Sequence, residues 1–434
     1  MARPRKFDPQ RALQDSIDEV TRLFPAEEIR EAAKASGFTQ RLRKIDPVLF
    51  FCNLVLGFGC SAQRTLAALH RRLETISERE FAPSSFFDRF SPKLVGFLGQ
   101  VLEQGLTSFT KAGLPADLAQ SFADVSIFDN TIVRLCDSLA SEYPGGGMPA
   151  AVKVSMVLSV AAHSARRFKI VAGNTPDIKT VTPGPWMRDH LLLFDLGFFK
   201  YQFFARILEN GGHFISRLRR DANPRIVAVH RQWRGKSIDL VGAKLRDVEA
   251  RLQRQEIDAE VEVDFSRRAY NGKASSDTMR LRLVGIRDAD SDDYHFYLTD
   301  LPADGFSPQQ IAQLYRGRWF VELLFKELKS RYALEALSTS KKEVVQALIL
   351  SAMLTLTISK AMFLTYRAHC RLARKDVTPM RWAIIFYEQA RPLMGRILRA
   401  YGIEASLEDF MELALLEAHD PTPKRKRLEE VWTL

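Results

Sequence analysis

The hydrophobic pattern of this 434-residue chain changes twice, and these changes constrain its fold more than any other feature. Residues 1 to about 120 have apolar positions at a spacing near 3.6, which predicts helices. Between about 121 and 300, short apolar and β-branched runs predict strands that alternate with helices. From Ser307 onward the helical spacing returns. We therefore expect a mixed α/β protein with helical regions on either side of a sheet.

This pattern divides the chain into five expected segments. Residues 1–120 form a helical N-terminal region, and residues 121–224 form the first part of an α/β core. Residues 225–300 form a β-rich insertion with a hairpin turn at Asn271-Gly272 and an interrupting helix around Leu245 to Leu252. Residues 301–340 hold a helix that begins after Ser307, with a capping box, and runs past Leu328. Residues 341–434 form a helical C-terminal region.

The charge balance favours a polyanionic partner. The chain has 63 Lys and Arg against 52 Asp and Glu, which gives a formal net charge of +11. An excess of this size is typical of proteins that bind nucleic acid. The alternative, a protein that is simply basic, stays open on composition alone.

Several classes of protein are disfavoured. The 4 Cys form no CxxC pair and have no His at zinc-finger spacing, which argues against a structural zinc site or a disulfide-built secreted fold. No apolar segment follows the first ten residues, so no secretory signal is expected. The longest apolar stretch, Val344 to Ile358, spans about 15 residues, fewer than a membrane span needs. We expect it to be a buried helix.

Two aspartates each follow an apolar run that is predicted to be a strand. Asp129 follows the run Ser121 to Phe128, and Asp195 follows the run Leu191 to Phe194. Carboxylates at the carboxyl ends of strands lie at the sheet edge where α/β proteins place their sites. The alternative is that each Asp only caps the next turn.

A third carboxylate lies on the helix predicted after Ser307. On a helical wheel, one polar arc contains Tyr315, Arg318, Glu322 and Lys329. An apolar stripe beside this arc contains Val321, Leu324, Phe325 and Leu328. The alternative to a functional arc is a solvated face with ion pairs. Three carboxylates together are an oxygen-ligand set suited to Mg²⁺ or Mn²⁺.

At these residues the chain resembles the insertion-sequence-four group of bacterial transposases. Tyr315, two residues, Arg318, three residues, Glu322, six residues and Lys329 match that group's Tyr-Arg-Glu-Lys signature at all four positions. Asp129-Asn130-Thr131 and Asp195-Leu196-Gly197 resemble its two aspartate segments, although Asn130 stands where Gly or Ser is common. The resemblance extends from about Ser121 to Lys329.

The resemblance implies a ribonuclease-H-like catalytic core with a β-rich insertion, flanked by helical N- and C-terminal regions. It implies metal-dependent cleavage of transposon ends and strand transfer, with Asp129, Asp195 and Glu322 as ligands of two Mg²⁺ ions, for which Mn²⁺ substitutes. Tyr315, Arg318 and Lys329 would contact phosphates of the transposon end.

The resemblance also implies partners and a location. The partners would be double-stranded DNA, both terminal repeats and target, and a second copy of the chain, with no membrane. The N-terminal helices would bind the element's ends, and the C-terminal helices would serve dimerisation or further DNA contact. The location would be the cytoplasm of a bacterium or archaeon, at the nucleoid. Two alternatives stay open, namely a domesticated DNA-binding protein without catalysis and a nuclease of the same core without strand transfer.

Lys153 and Asp177 lie between the two aspartate segments and allow two interpretations. They form either a salt bridge or part of a DNA-binding surface, and the sequence favours neither.

Overall fold

A computed structural model describes residues 7–404 with gaps. The residues outside the description are 1–6, 40–44, 59–64, 109–120, 161–163, 231, 234–235, 238, 271–272, 289–292, 333, 335–336, 338, 373–376 and 405–434. The chain divides into two compact units. One contains residues up to 104, 331–336 and those from 343 onward, and the other contains residues 105–330 and 337–342.

The helices and strands of the described residues are numbered here in chain order. The helices are α1 (Pro9–Leu23), α2 (Ala26–Ala35), α3 (Pro47–Phe58), α4 (Leu66–Ser77), α5 (Pro83–Phe87), α6 (Pro92–Ser108), α7 (Tyr201–Glu209), α8 (Leu245–Val248), α9 (Pro308–Arg316), α10 (Trp319–Ser330), α11 (Lys342–Leu372) and α12 (Pro379–Ala400). The strands are β1 (Asp124–Arg134), β2 (Ala151–Ser159), β3 (Ser164–Ala172), β4 (His190–Phe194), β5 (His213–Arg217), β6 (Arg225–Val229), β7 (Gln232–Trp233), β8 (Lys236–Ser237), β9 (Glu256–Tyr270), β10 (Lys273–Arg287) and β11 (Tyr294–Thr299).

The first unit is helical and is built around α3 and α11. Every residue of α3 is buried, so this helix is apolar on all sides. In α11, Thr355 donates a hydrogen bond of 2.5 Å to the carbonyl of Val55 in α3. The segment Lys342–Cys370 is long and apolar enough to cross a membrane, but 94% of its most apolar window is buried inside the protein. This burial matches the buried helix expected at Val344 to Ile358.

The second unit contains one nine-stranded mixed sheet with the order β3-β2-β1-β4-β5-β11-β10-β9-β6. Strands β1, β4 and β5 are parallel to one another, and the remaining neighbours are antiparallel. Most strands of residues 225–300 extend this sheet, because β11 pairs with β5 at Leu298 and Ser216. The mixed α/β architecture with helical termini agrees with the fold class expected from the hydrophobic pattern.

Aromatic side chains pack α7 against one face of the sheet. Phe194 of β4 and Phe214 of β5 lie in one core cluster with Phe203 and Phe204 of α7. The rings of Phe204 and Phe214 stack with their centroids 4.5 Å apart. Burial of these large rings stabilises the sheet at the level where β4 ends, since apolar area removed from water is the main favourable term in folding.

Helices α9 and α10 contact the opposite face. Leu193 alternates with the core residues Leu192 and Phe194, so its side chain points away from α7. A Cβ added to Gly317, between α9 and α10, would lie 3.9 Å from Cδ1 of Leu193. Different helices therefore cover the two faces of the sheet near the end of β4, α7 on one face and α9 and α10 on the other.

Two local predictions were wrong. The strand predicted to end before Asp129 continues as β1 to Arg134, because β1 keeps pairing with β2 over that length. The single helix predicted from Ser307 past Leu328 is two helices, α9 and α10. The interruption falls at Gly317, and glycine has the lowest helix propensity after proline. The predicted capping box is confirmed, with Ser307 and Gln310 bonded reciprocally.

The predicted hairpin and interrupting helix are confirmed. β9 and β10 pair antiparallel from Tyr270 and Lys273 onward, while Asn271 and Gly272 lie outside the described residues. The interrupting helix is α8, followed by a short 3-10 turn at Glu249–Arg251.

A buried ion pair fixes the segment that leads into α9. The guanidinium of Arg282 in β10 donates two hydrogen bonds of 2.7 Å to the carboxylate of Asp258 in β9. It also donates to the carbonyls of Leu301 at 3.2 Å and Pro302 at 3.1 Å, just before α9. The side chains of Arg282 and Asp258 are 4% and 8% exposed, so removing one partner leaves an uncompensated buried charge.

We therefore expect Arg282→Ala to lower the free energy of unfolding of the sheet unit by about 3–5 kcal/mol. The matched control is Arg267→Ala on β9, because Arg267 bonds Asp277 and Glu209 at the surface. Solvent screens such exposed pairs, so the control should unfold like the wild type. Urea unfolding of the three proteins measures both effects. Equal small losses in the two variants would contradict the role given to Arg282.

Candidate active site

The parallel pairing of β1 and β4 brings the two aspartates together. The register runs from Asp124 opposite His190 to Phe128 opposite Phe194, where the parallel pairing ends. Asp129 follows Phe128 directly, and Asp195 follows Phe194 directly. Neighbouring strands lie about 4.8 Å apart, so the two carboxylates begin side by side. The expectation that both aspartates lie where buried strands end is met for Asp195, whereas Asp129 lies within β1 and only beyond its parallel partner.

The environment of Asp129 raises the pKa of its carboxyl group. Burial raises the pKa of Asp129 to about 6, while the backbone N–H of Asn130 and the charge of Arg318 lower it. The negative charges of Asp195 and Glu322 raise the pKa further. Asn130 donates its backbone N–H to Oδ1 of Asp129 at 2.8 Å. Asp195 and Glu322 therefore both lie within electrostatic range of Asp129.

The turn that carries Asp195 is held from two sides. Asp195 is exposed and precedes a 3-10 turn at Leu196–Phe198. On one side, the hydroxyl of Tyr315 donates to the carbonyl of Phe194 at 3.3 Å. On the other, the carboxylate of Asp177 lies so close to Gly197 that a Cβ there would be 2.2 Å from Oδ2. Only glycine fits this contact without displacement, which explains the Gly two residues after Asp195.

Asp177 is itself anchored by Lys153. The ammonium of Lys153 donates to Oδ1 of Asp177 and to the carbonyl of Thr175, both at 2.5 Å. The side chain of Lys153 is 8% exposed and that of Asp177 is 32% exposed, so the ammonium is largely removed from water while the carboxylate keeps some contact with it. Of the two interpretations of Lys153 and Asp177, the structure shows the salt bridge. The sequence did not reveal that this salt bridge supports the turn after Asp195. The glycine in Asp195-Leu196-Gly197 was the one signal of that contact in the sequence.

Arg318 lies at the junction of α9 and α10 and contacts two of the three carboxylates. Its Nη2 donates to Oε1 of Glu322 at 2.5 Å, and its Nη1 lies 3.6 Å from Oδ2 of Asp129. The side chains of Arg318 and Asp129 are each 19% exposed. Glu322 stands in the first turn of α10. The break between the helices thus places a cation between a strand carboxylate and a helix carboxylate.

Of the four signature residues, Tyr315 departs from the predicted polar arc, whereas Lys329 contacts the same strand as Arg318. Tyr315 is 7% exposed, and its ring contacts the ring of Tyr297 with centroids 5.3 Å apart. Lys329 donates to the carbonyl of Ile132 at 3.3 Å, three residues beyond Asp129 on β1. The apolar stripe predicted beside them, Val321, Leu324, Phe325 and Leu328, is buried as expected. The wheel failed for Tyr315 because it assumed one unbroken helix, whereas Tyr315 lies before the interruption at Gly317.

Carboxylates are chemically suited to bind a divalent metal, but the three side chains are not arranged as a ligand set. Among the residues that the structure describes, no group of three or more His, Cys, Asp or Glu side chains is close enough to hold a metal ion. The guanidinium of Arg318 lies between Asp129 and Glu322 instead. Carboxylate oxygens are the ligands that Mg²⁺ prefers. Burial is the main cause of the raised pKa of Asp129, and the charges of Asp195 and Glu322 add to it, so a cation bound there would favour the ionised form.

Comparison with known proteins gives one family. The profile described as "Transposase DDE domain" matches residues 120–358, a range that includes Asp129, Asp195 and Glu322. The chain is 23% identical over 376 residues to the transposase for insertion sequence element IS231F of Bacillus thuringiensis subsp. israelensis, over 78% of this chain and 77% of that protein. It is 23% identical over 379 residues to the transposase for insertion sequence element IS1151 of Clostridium perfringens, over 80% of each protein.

A solved structure of piggyBac transposase, in a synaptic complex with hairpin DNA, aligns with 98% of this chain and 88% of that chain. Its TM-score is 0.47 and its sequence identity is 10%.

The raised pKa of Asp129 predicts a pH-dependent effect of Asp129→Asn on stability without metal. The pKa is about 6 in the folded protein against 3.8 for an ordinary aspartate, so folding raises the proton affinity of this group. The cost of the ionised carboxylate is therefore absent below about pH 4 and complete above about pH 6. Asp129→Asn removes that cost and should be more stable than the wild type by about 1–3 kcal/mol at pH 7.5, but not at pH 4.

Urea unfolding in the presence of a chelator, at both pH values, measures this difference. The control is Asp304→Asn, because Asp304 is exposed and its substitution should change stability equally little at either pH. An Asp129→Asn protein that is no more stable than the wild type at pH 7.5 would show that burial does not dominate at this carboxylate.

Proposed function

Because the chain belongs to the transposase DDE domain family and is a DNA transposase, we propose that Asp129, Asp195 and Glu322 are its catalytic carboxylates. The observation that carries this proposal is the β1–β4 register, which ends one residue before each aspartate. Arg318 then links Glu322 to Asp129.

The catalytic core is of the ribonuclease-H-like type in this proposal. The strand order β3-β2-β1-β4-β5 supports it, with β1, β4 and β5 parallel and helices on both faces. The strands of residues 225–300 would be the insertion between the second Asp and the Glu. The Tyr-Arg-Glu-Lys spacing assigns the chain to the insertion-sequence-four group within the transposases, and its likeness to the IS231F and IS1151 proteins is compatible with that assignment.

Transposases of this family use divalent metal ions, and in this proposal Asp129, Asp195 and Glu322 hold two Mg²⁺ ions, for which Mn²⁺ substitutes. When bound, such ions lower the pKa of an attacking water or 3′-hydroxyl and stabilise the leaving oxygen of a phosphodiester. Asp129, with its raised pKa, must lose its proton to serve as a ligand.

The basic signature residues have distinct roles in this proposal. Arg318 exchanges its contacts with Glu322 and Asp129 for phosphate oxygens of the DNA, which its planar guanidinium can grip with two hydrogen bonds. Lys329 lies about 10 Å along α10 from Glu322 and contacts phosphate beyond the scissile bond. Tyr315 was predicted to contact phosphate, but its burial and its bond to the Phe194 carbonyl support a positioning role for the turn at Asp195.

The partners follow from the reaction. The DNA substrates are the terminal inverted repeats of the element and a target duplex, and cleavage of paired ends requires at least a homodimer. The helical region of residues 1–120 binds the ends, and the region of residues 341–434, described as far as residue 404, serves dimerisation or further DNA contact. We place the protein in the cytoplasm of a prokaryote, at the nucleoid. The relatives named above are bacterial insertion-sequence transposases.

Glu322→Gln tests the triad. The substitution removes an anionic ligand without adding bulk, so cleavage of a duplex with the element's terminal sequence should fall at least 100-fold in Mg²⁺ or Mn²⁺, roughly the range for losing a metal-site group. End binding should be retained. The control Glu209→Gln changes an exposed carboxylate at the end of α7 and should cleave normally.

If Glu322→Gln cleaves at the wild-type rate, Glu322 is not a catalytic carboxylate. Binding without cleavage by the wild type itself would favour the DNA-binding alternative. Cleavage without joining of the 3′ end to a target would favour the nuclease.

Lys329→Ala should weaken end binding and reduce the slope of log K against log salt by about one, because one phosphate contact is lost. Lys326→Ala is the matched control, since Lys326 is exposed on the same helix and its loss also removes one positive charge. Titrations at several salt concentrations compare the two slopes. Equal slopes for the two variants would mean that Lys329 adds to the overall positive charge but makes no specific contact with a phosphate.

A further inference from the structure

Two adjoining clefts lie on the face of the sheet that packs against α7. The first has a volume of 260 Å³ and is lined by residues of β2 and β3 and of the segment after them. The second has a volume of 340 Å³ and reaches the start of α7. Both are lined by Val181 and Thr182, so they form one continuous depression.

The clefts are lined by positive charge without compensating negative charge. The cationic lining residues are Arg167, Lys169, Lys179, Lys200 and Arg206, which together are called the basic cleft. All five side chains belong to exposed residues, and neither cleft is lined by Asp or Glu. Within the described part of the chain none of the five forms an ion pair, in contrast to Lys153 and Arg318 nearby. An uncompensated group of this kind attracts an anionic partner.

Arg167 and Lys200 occupy identifiable positions in the local structure of the cleft. The guanidinium of Arg167 lies 4.8 Å above the ring of Trp186, and the indole of Trp186 donates to the carbonyl of Thr182 at 3.1 Å. Lys200 is the N-cap of α7 and supplies no side-chain acceptor to the helix. A cation at a helix N-terminus is unfavourable by itself, whereas an anion bound there interacts favourably with both the N–H groups and the lysine.

The basic cleft approaches the candidate active site from the side opposite to Arg318. Lys200 follows Asp195 by five residues, through the turn that Asp177 supports. Thr180, which lines the first cleft, accepts a hydrogen bond of 2.8 Å from Ser155 and lies 3.5 Å from Oδ1 of Asn130, the neighbour of Asp129. An extended anion in the cleft would therefore run toward the edge where β1 and β4 separate.

We infer that the basic cleft binds the phosphodiester backbone of duplex DNA and is a second contact surface, distinct from Arg318 and Lys329. The inference rests on the proposed function, because it assigns a further DNA path to the same site. Five cations spread over two joined clefts fit successive phosphates of a polymer better than one small anion. The duplex is either the element's end beyond the scissile phosphate or the target, which present the same backbone chemistry.

The test uses the full chain with three cleft residues neutralised, Lys179→Ala, Lys200→Ala and Arg206→Ala. Its matched control carries Arg188→Ala, Arg225→Ala and Lys244→Ala, which remove the same charge from exposed positions outside the clefts. Binding to a duplex with the element's terminal sequence and to an unrelated duplex is titrated at several salt concentrations. Circular dichroism and thermal unfolding confirm that both variants fold.

The cleft variant should bind about 10- to 100-fold more weakly near 0.15 M salt, and its slope of log K against log salt should be smaller by about two to three. The control variant should keep the wild-type slope. A loss confined to the unrelated duplex assigns the cleft to target DNA, and a loss confined to the terminal sequence assigns it to the element's end. Both results support the inference.

Equal slopes for the cleft variant and the control, in a protein whose wild type cleaves its ends, would overturn the inference and leave the proposed function intact. A wild type that binds neither duplex would overturn both. The two failures are thus distinguishable.

Discussion

The parallel pairing of β1 with β4 is the constraint on which the candidate active site depends. It ends at Phe128 and Phe194, whose rings belong to the core packed by α7, so the register is fixed by burial. A shift of one residue would turn these rings toward the opposite face. The same register places Asp129 beside Asp195 just beyond the last β1–β4 pair, where two carboxylates repel each other. The rest of the site can be understood as a response to that repulsion.

The response comes from the helices on the opposite face. The break at Gly317 separates α9 from α10 and brings Arg318 to Asp129 and Glu322. The guanidinium contacts two of the three carboxylates, while burial, more than the neighbouring charges, raises the pKa of Asp129 to about 6. If the three carboxylates are the metal ligands proposed above, a divalent cation would offset the negative charge that one guanidinium leaves uncompensated. In that proposal Arg318 holds Asp129 and Glu322 without metal and turns toward DNA phosphate when the metal binds.

The sequence predicted most of the elements and singled out the candidate carboxylates, because both depend on local pattern; the catalytic role of those carboxylates stays a prediction. Apolar spacing located the strands and helices, and the positions of Asp129, Asp195 and Glu322 followed from their neighbours. It could not predict contacts made over long separations. The Lys153–Asp177 pair that supports Gly197, and the bond from Tyr315 to the Phe194 carbonyl, join segments that only the fold brings together. The helical wheel also failed at Gly317, because a wheel presumes a continuous helix and the chain is interrupted there between α9 and α10.

The most direct test of this account is X-ray diffraction from crystals of the protein with Mn²⁺, using the anomalous scattering of manganese to locate the metal. The account predicts manganese within about 2.2 Å of carboxylate oxygens of Asp129, Asp195 and Glu322, with the guanidinium of Arg318 moved away from Glu322. Manganese bound elsewhere, or no bound manganese at saturating concentration while Arg318 still bridges Asp129 and Glu322, would contradict it.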